Sequence, residues 1–172
     1  MPADHGMVCP HHLRAFPMKT DGIPRPCVCT SIRKAARVLA RTYDGALAPA
    51  GMNVTQLAVM RALLRHPHEP LARVAEDLAM DRTTLYRAID ALRKQHWVRL
   101  SEGNDNRSRS ASVSRSGALA LKRADPGWAS TQSSIVDRFG HKEWQTFTSE
   151  LQRLVDCASP SPTVHSTIRR HP

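Results

Sequence analysis

Residues 81–96 read DRTTLYRAIDALRKQH, and the side chains there that could do chemistry fall on one side. At about 100° per residue, Thr83, Arg87, Asp90 and Lys94 share a helical face opposite Leu85, Ile89 and Leu92. Hydroxyls, a guanidinium and an ammonium displayed together suit the base edges and phosphates of a nucleic acid. Arg82 and Thr84 add a cation and a hydroxyl beside the free N–H groups of the first turn. The plainer reading of this pattern alone is an amphipathic surface helix with a solvated outer face. A few residues on, SEGNDNRSR places Asp105, Arg107 and Arg109 in a turn-rich loop. A guanidinium on a narrow loop fits the negative potential of a DNA minor groove.

Thiols are the other chemistry on offer. Cys27 and Cys29 open a helical stretch, where unpaired N–H groups favour thiolate and hence oxidation. If both were helical their side chains would lie about 200° apart, so a local bond would be strained. Pairing with Cys157, or across two chains, is geometrically freer. A buried or idle cysteine stays open beside the oxidant-sensing reading. Cys9, His11 and His12 offer metal-ligand types, but with no second pair at finger spacing they predict no metal site. The sequence shows no nucleophile elbow, phosphate-binding glycine loop or paired carboxylates, so neither catalysis nor a cofactor is expected.

These side chains need a frame. From Cys27 to Leu47, the residues Ile32, Ala35, Ala36, Leu39, Tyr43 and Leu47 form one apolar helical stripe, broken by Pro49, Ala50 and Gly51. Asn53 followed by Gln56 resembles a capping box for a second helix, with Val54, Leu57, Met60 and Leu64 inward. A short third helix runs from Leu71 to Ala79, and Asp81 is a good N-cap for the fourth. Trp97–Leu100 and Ser110–Ser114 read as two strands of a hairpin around the basic loop. After Gly117 the pattern is helical again, with a kink or break expected at Asp125-Pro126-Gly127. A final helix carries Trp144, Phe147, Leu151 and Leu154 in a seam-like spacing. The fold class that results is mainly α with a small β-hairpin wing: a winged helix-turn-helix at 51–117, with dimerisation helices at 27–50 and 118–158.

Composition agrees with this order. In 172 residues, 25 Lys and Arg stand against 15 Asp and Glu, a net charge of +10. Between Asp81 and Arg123, ten basic and four acidic residues leave +6 where a groove-binding unit should carry it. No run approaches the roughly 18 apolar residues of a membrane span, and no secretory signal opens the chain, so a cytoplasmic protein is expected. Proline-rich residues 1–26 predict a mobile arm, and 159–172 a flexible tail. The first and last helices carry more apolar stripe than a small winged helix can cover. A two-fold dimer would bury them and set two reading helices on successive turns of DNA.

The stretches NVTQLAVMRALL, DRTTLYRAIDALRKQHWVRL and NDNRSRSASVSRSG resemble the MarR family of bacterial transcriptional regulators. The likeness covers about residues 27–157. The family's wing motif, D-x-R followed by a strand and a small-x-x-Gly helix start, falls on Asp105, Arg107 and Ser114–Gly117. The resemblance implies homodimers on double-stranded DNA, a pseudo-palindromic operator, and a recognition helix in each major groove. It makes Arg107 the wing-tip arginine and Asp105 the carboxylate that orients basic groups around it. His96-Trp97-Val98 replaces the usual Gly-Leu-Val, which singles out the turn after the recognition helix. Repression is the commoner habit of such regulators. The signal is open: a small aromatic or anionic effector facing Arg33, Arg37 and Arg41, or oxidation of the thiols. The plainer role of those arginines is a solvated face or ion pairs with a partner chain. The runner-up function is a non-specific, architectural nucleic-acid-binding protein.

Overall fold

A computed structural model describes residues 27–101 and 109–158. The chain divides into two compact units, one of Pro26–Ile135 and one to which Val136–Ala158 belong.

In the larger unit, α1 (Val28–Leu47) starts from Cys27 in extended conformation and ends in a 3-10 turn at Ala48–Ala50. Gly51 follows at φ 70°, a left-handed position that glycine takes without a Cβ penalty. α2 (Val54–Arg65) opens with the expected capping box: Asn53 Oδ1 accepts from Gln56 N at 2.9 Å, and Asn53 N donates to Gln56 Oε1 at 3.0 Å. Asp44 of α1 adds a second acceptor to this helix start, taking the N–H of Val54 at 2.7 Å. α3 (Leu71–Asp77) is shorter than its apolar spacing suggests, because Ala79 turns to φ 48° and ends it. α4 (Arg82–Lys94) starts at the predicted cap, Asp81.

Leu57, Met60, Leu71, Val74, Leu85, Ile89 and Leu92 are fully buried and form one cluster with Leu47, Trp97 and Ala111. Leu64, expected inward, is 57 % exposed. The helix turns Val59, Ala62 and Leu63 inward instead, so its buried arc is centred one residue earlier.

β1 (Val98–Ser101) and β2 (Ser110–Val113) pair antiparallel with Val98 opposite Val113 and Ser101 opposite Ser110. An isolated bridge from Pro70 to Ser110, with Leu71 N donating to the Arg109 carbonyl at 2.9 Å, pins the returning strand to the start of α3. α5 (Arg115–Phe139) follows after one residue, Ser114.

The break expected at Pro126 is absent: α5 is continuous through it. Pro126 removes one helical hydrogen bond, but it and Lys122, whose carbonyl loses that partner, both lie on an exposed side open to water. Gly127 serves a different end. A Cβ there would lie 2.5 Å from the Ala46 carbonyl oxygen, so the glycine permits α5 to cross α1 at backbone contact. Around this crossing Tyr43 donates to Gln132, and Arg61 lies 4.0 Å over the Trp128 ring while pairing with Asp125 at 3.0 Å.

In the smaller unit the end of α5 passes through Gly140, at φ 103°, into α6 (His141–Ala158). Phe139, Trp144 and Phe147 meet edge-on or tilted, with centroids 5.8–6.4 Å apart. Nothing in α6 is buried, and Phe147 and Leu154 remain 40 % and 38 % exposed.

Candidate nucleic-acid interface

The predicted reading face is built by a cap and a core. Asp81 accepts the N–H of Thr84 at 2.9 Å and the Thr84 hydroxyl at 2.6 Å. These two bonds hold the Asp81 carboxyl below the usual carboxylate range. With the first turn fixed, Leu85, Ile89 and Leu92 anchor the inner side, leaving Thr83, Arg87 and Lys94 exposed on the outer one and Arg82 exposed at the first turn. Asp90, the one acid on that face, pairs with Arg93 at 3.5 Å, so part of its opposing charge is neutralised. Thr84 has its hydroxyl committed to the cap, whereas Thr83 turns only its backbone N–H toward Asp81. Tyr86 is half-buried and packs on the core.

The turn from α4 to the wing carries His96-Trp97-Val98 in place of Gly-Leu-Val, and the structure accommodates the change. His96 adopts φ 60°, a left-handed conformation that histidine enters more readily than most residues. Its carbonyl accepts from the hydroxyls of Ser114 and Ser116, both at 2.6 Å. Ser114 also caps α5, accepting the N–H of Gly117 at 3.0 Å. Gly117 must be glycine-sized: a Cβ would sit 2.1 Å from the Trp97 carbonyl oxygen. The small-x-x-Gly run is therefore a joint between the wing base and α5.

Arg109 stands at the start of the returning strand, with its carbonyl fixed by Leu71. Asp105 and Arg107 lie outside the described residues, as do Cys9, His11 and His12. Cys27 and Cys29 are exposed free thiols, which removes the buried reading for both. Cys27 is extended rather than helical, so its side chain and that of Cys29 are not held at the separation of two helical neighbours. Backbone and hydroxyl hydrogen bonds from Thr30, with the backbone of Cys29, lower its thiol pKa. Cys157 is exposed near the end of α6. Arg33, Arg37 and Arg41 are exposed along α1. Among the described residues, no group of three or more His, Cys, Asp and Glu side chains gathers as for a metal ion, and no helix is long and apolar enough to cross a membrane.

Two contacts escaped the sequence reading. The Pro70–Ser110 bridge has only a proline before a short helix as its signal. The Arg61–Trp128–Asp125 contact joins residues more than sixty positions apart, with no local signature at all.

No protein-family model matches the sequence, and no curated protein matches it. Solved structures do. The M. tuberculosis transcriptional regulator MosR in complex with DNA shares 27% identity, covering 78% of this chain and 100% of that one, at a TM-score of 0.67. MosR without DNA gives 27% identity over 77% of this chain and 95% of its own, at a TM-score of 0.69. A mutant of E. coli MarR complexed with operator DNA shares the fold at 17% identity, covering 73% and 91% of the two chains at a TM-score of 0.66. The fold and its capped, arginine-bearing fourth helix define a winged helix-turn-helix protein. Within that class its structure is similar to those of MarR-family transcriptional regulators.

Proposed function

We propose that the chain is a dimeric, sequence-specific DNA-binding transcriptional regulator, acting as a repressor released by a small ligand or by thiol oxidation. The observation that carries the reading is the outer face of α4: Thr83, Arg87 and Lys94 stand exposed on a helix rigidly seated by Leu85, Ile89 and Leu92. The likeness to MosR, solved on DNA, supports assigning that face to the major groove. Arg107 and Arg109 on the wing then serve the flanking minor groove, with Asp105 orienting them.

Dimerisation is supported by the apolar residues that the chain leaves open. Ile32 and Leu39 of α1 are 38 % and 40 % exposed, and α6 buries nothing. A second copy covers both, and Arg33, Arg37 and Arg41 then face either the partner chain or an anionic effector. Exposure and the lowered pKa of Cys27 support oxidation as a release signal.

Selection of bound fragments from genomic DNA, followed by competition with random duplex at fixed salt, tests the function. A preference of roughly 10³ or more for one pseudo-palindrome is expected. No preference over random duplex makes the protein an architectural binder instead. Peroxide should release the selected fragment from the wild type and not from Cys27→Ser. Equal release from wild type, Cys27→Ser and Cys29→Ser removes these thiols as the sensor.

A further inference from the structure

Two arginines near the wing have no part in the reading above. Arg99, in β1, faces outward opposite Ser112, and Arg115 opens α5. Both are exposed, and neither has an ion-pair partner among the described residues. Both lie at the base of the hairpin, where together with His96, Ser116 and Leu119 they line an open groove of about 500 Å³. Among the described residues, no acidic side chain lines it. Two guanidinium groups sharing a concave surface repel each other unless an anion lies between them, and a bidentate guanidinium fork matches phosphate oxygens.

We propose that this groove seats a phosphate of the DNA backbone, on the strand that walls the minor groove entered by the wing. The assignment rests on the DNA-binding reading and extends its footprint from the wing tip to the wing base. A minor groove is only about 6 Å wide, so a hairpin entering it by the tip must pass its phosphate walls on the way in. The base of the hairpin then faces those walls, and Arg99 and Arg115 are the cations there. Such a contact carries no sequence information; it fixes the height and tilt at which the wing enters. A free phosphate ion offers the same chemistry, and the test separates the two sources.

The experiment measures affinity for a mixed-sequence duplex against salt concentration, in wild type, Arg99→Ala and Arg115→Ala. Arg138→Ala, an exposed cation near the end of α5 outside the groove, controls for removal of one charge, and Arg87→Ala reports on binding through α4. Each groove variant should lower the slope of log K against log salt by about 0.9 for each phosphate no longer neutralised, while Arg138→Ala keeps the wild-type slope. Unchanged melting curves are expected for both groove variants, since neither side chain is buried, and Arg99→Lys should recover part of the slope. Wild-type slopes in both groove variants, with binding weakened in Arg87→Ala, overturn the proposal and leave the DNA-binding reading standing. Titration of inorganic phosphate into wild type and Arg99→Ala decides the source. Phosphate binding that disappears in Arg99→Ala while the DNA slope stays unchanged overturns the backbone assignment in favour of a free anion. If neither wild type nor any variant binds duplex, the DNA-binding reading itself fails, and this proposal with it.

Discussion

The winged core and the outer helical turns are equally amphipathic in sequence and opposite in outcome. Leu85, Ile89 and Leu92 on α4 are 1 %, 1 % and 0 % exposed. Ile32 and Leu39 on α1, spaced in much the same way, are 38 % and 40 % exposed. Periodicity tells which face of a helix will be covered; it does not tell by what. The core, with Leu47 at the end of α1, satisfies its own pattern within one chain, whereas the earlier turns of α1 and all of α6 leave theirs exposed. Burial of an apolar side chain is worth about 1.5–3 kcal/mol, so stripes of this length left to water represent a substantial unused driving force.

That contrast is sharpest in truncation. Leu92→Ala empties a fully buried site and should destabilise the winged unit by about 2–5 kcal/mol, seen as a lower denaturation midpoint at every protein concentration. Leu39→Ala should leave that midpoint nearly unmoved and instead weaken self-association, read by sedimentation at serial dilution. If the two variants behave alike, the division between a self-sufficient core and a partner-dependent periphery is wrong. Gly117→Ala comes next. Its new methyl meets the backbone carbonyl of Trp97, which cannot swing aside, and overpacking of this kind costs about 1–3 kcal/mol. Gly45, with open space around its Cβ position, is the matched control in α1 and should accept alanine.

The smallest effect concerns acid. Asp81 has its folded pKa lowered by Thr84, so the unfolded chain binds the proton more readily. Its contribution is therefore fully present above the ordinary carboxylate pKa and is lost as pH falls through the lowered folded value. Asp81→Ala should lower the melting temperature at neutral pH and flatten the acid limb of the stability curve. An acid limb identical to the wild type would show that the cap does not couple to folding.

Much of the fold was legible because its signals are local. Asn53 with Gln56, Asp81 before its helix and the turn residues after Ser101 each mark a boundary through chemistry within four residues. The exceptions have physical causes. Pro126 did not break α5, because its missing hydrogen bond falls on a solvated side and Gly127 gains a close helix crossing. Leu64 lies outward, because Val59, Ala62 and Leu63 fill the available arc. The candidate site was legible as a face, through the opposition of Thr83 and Arg87 to Leu85 and Ile89. What sequence could not supply was the competition for each polar group. Thr84 resembles Thr83 in sequence, yet its hydroxyl is spent on Asp81.

One junction has a mechanical meaning. Between the last residue of β2, Val113, and the first of α5, Arg115, stands only Ser114, with its hydroxyl on the His96 carbonyl. There is no slack in which a rotation could dissipate. The stretch of α5 from Arg115 to Ile135 is a rod roughly 30 Å long at 1.5 Å per residue. A shift of about 3 Å at its far end is a tilt of roughly 6° at the hinge, by the same geometry. Delivered to the base of the hairpin, that angle would tilt β1 and β2 with it. Ser114 would be the fulcrum of such a lever, at which a small displacement along the rod becomes a change of angle at the hairpin base.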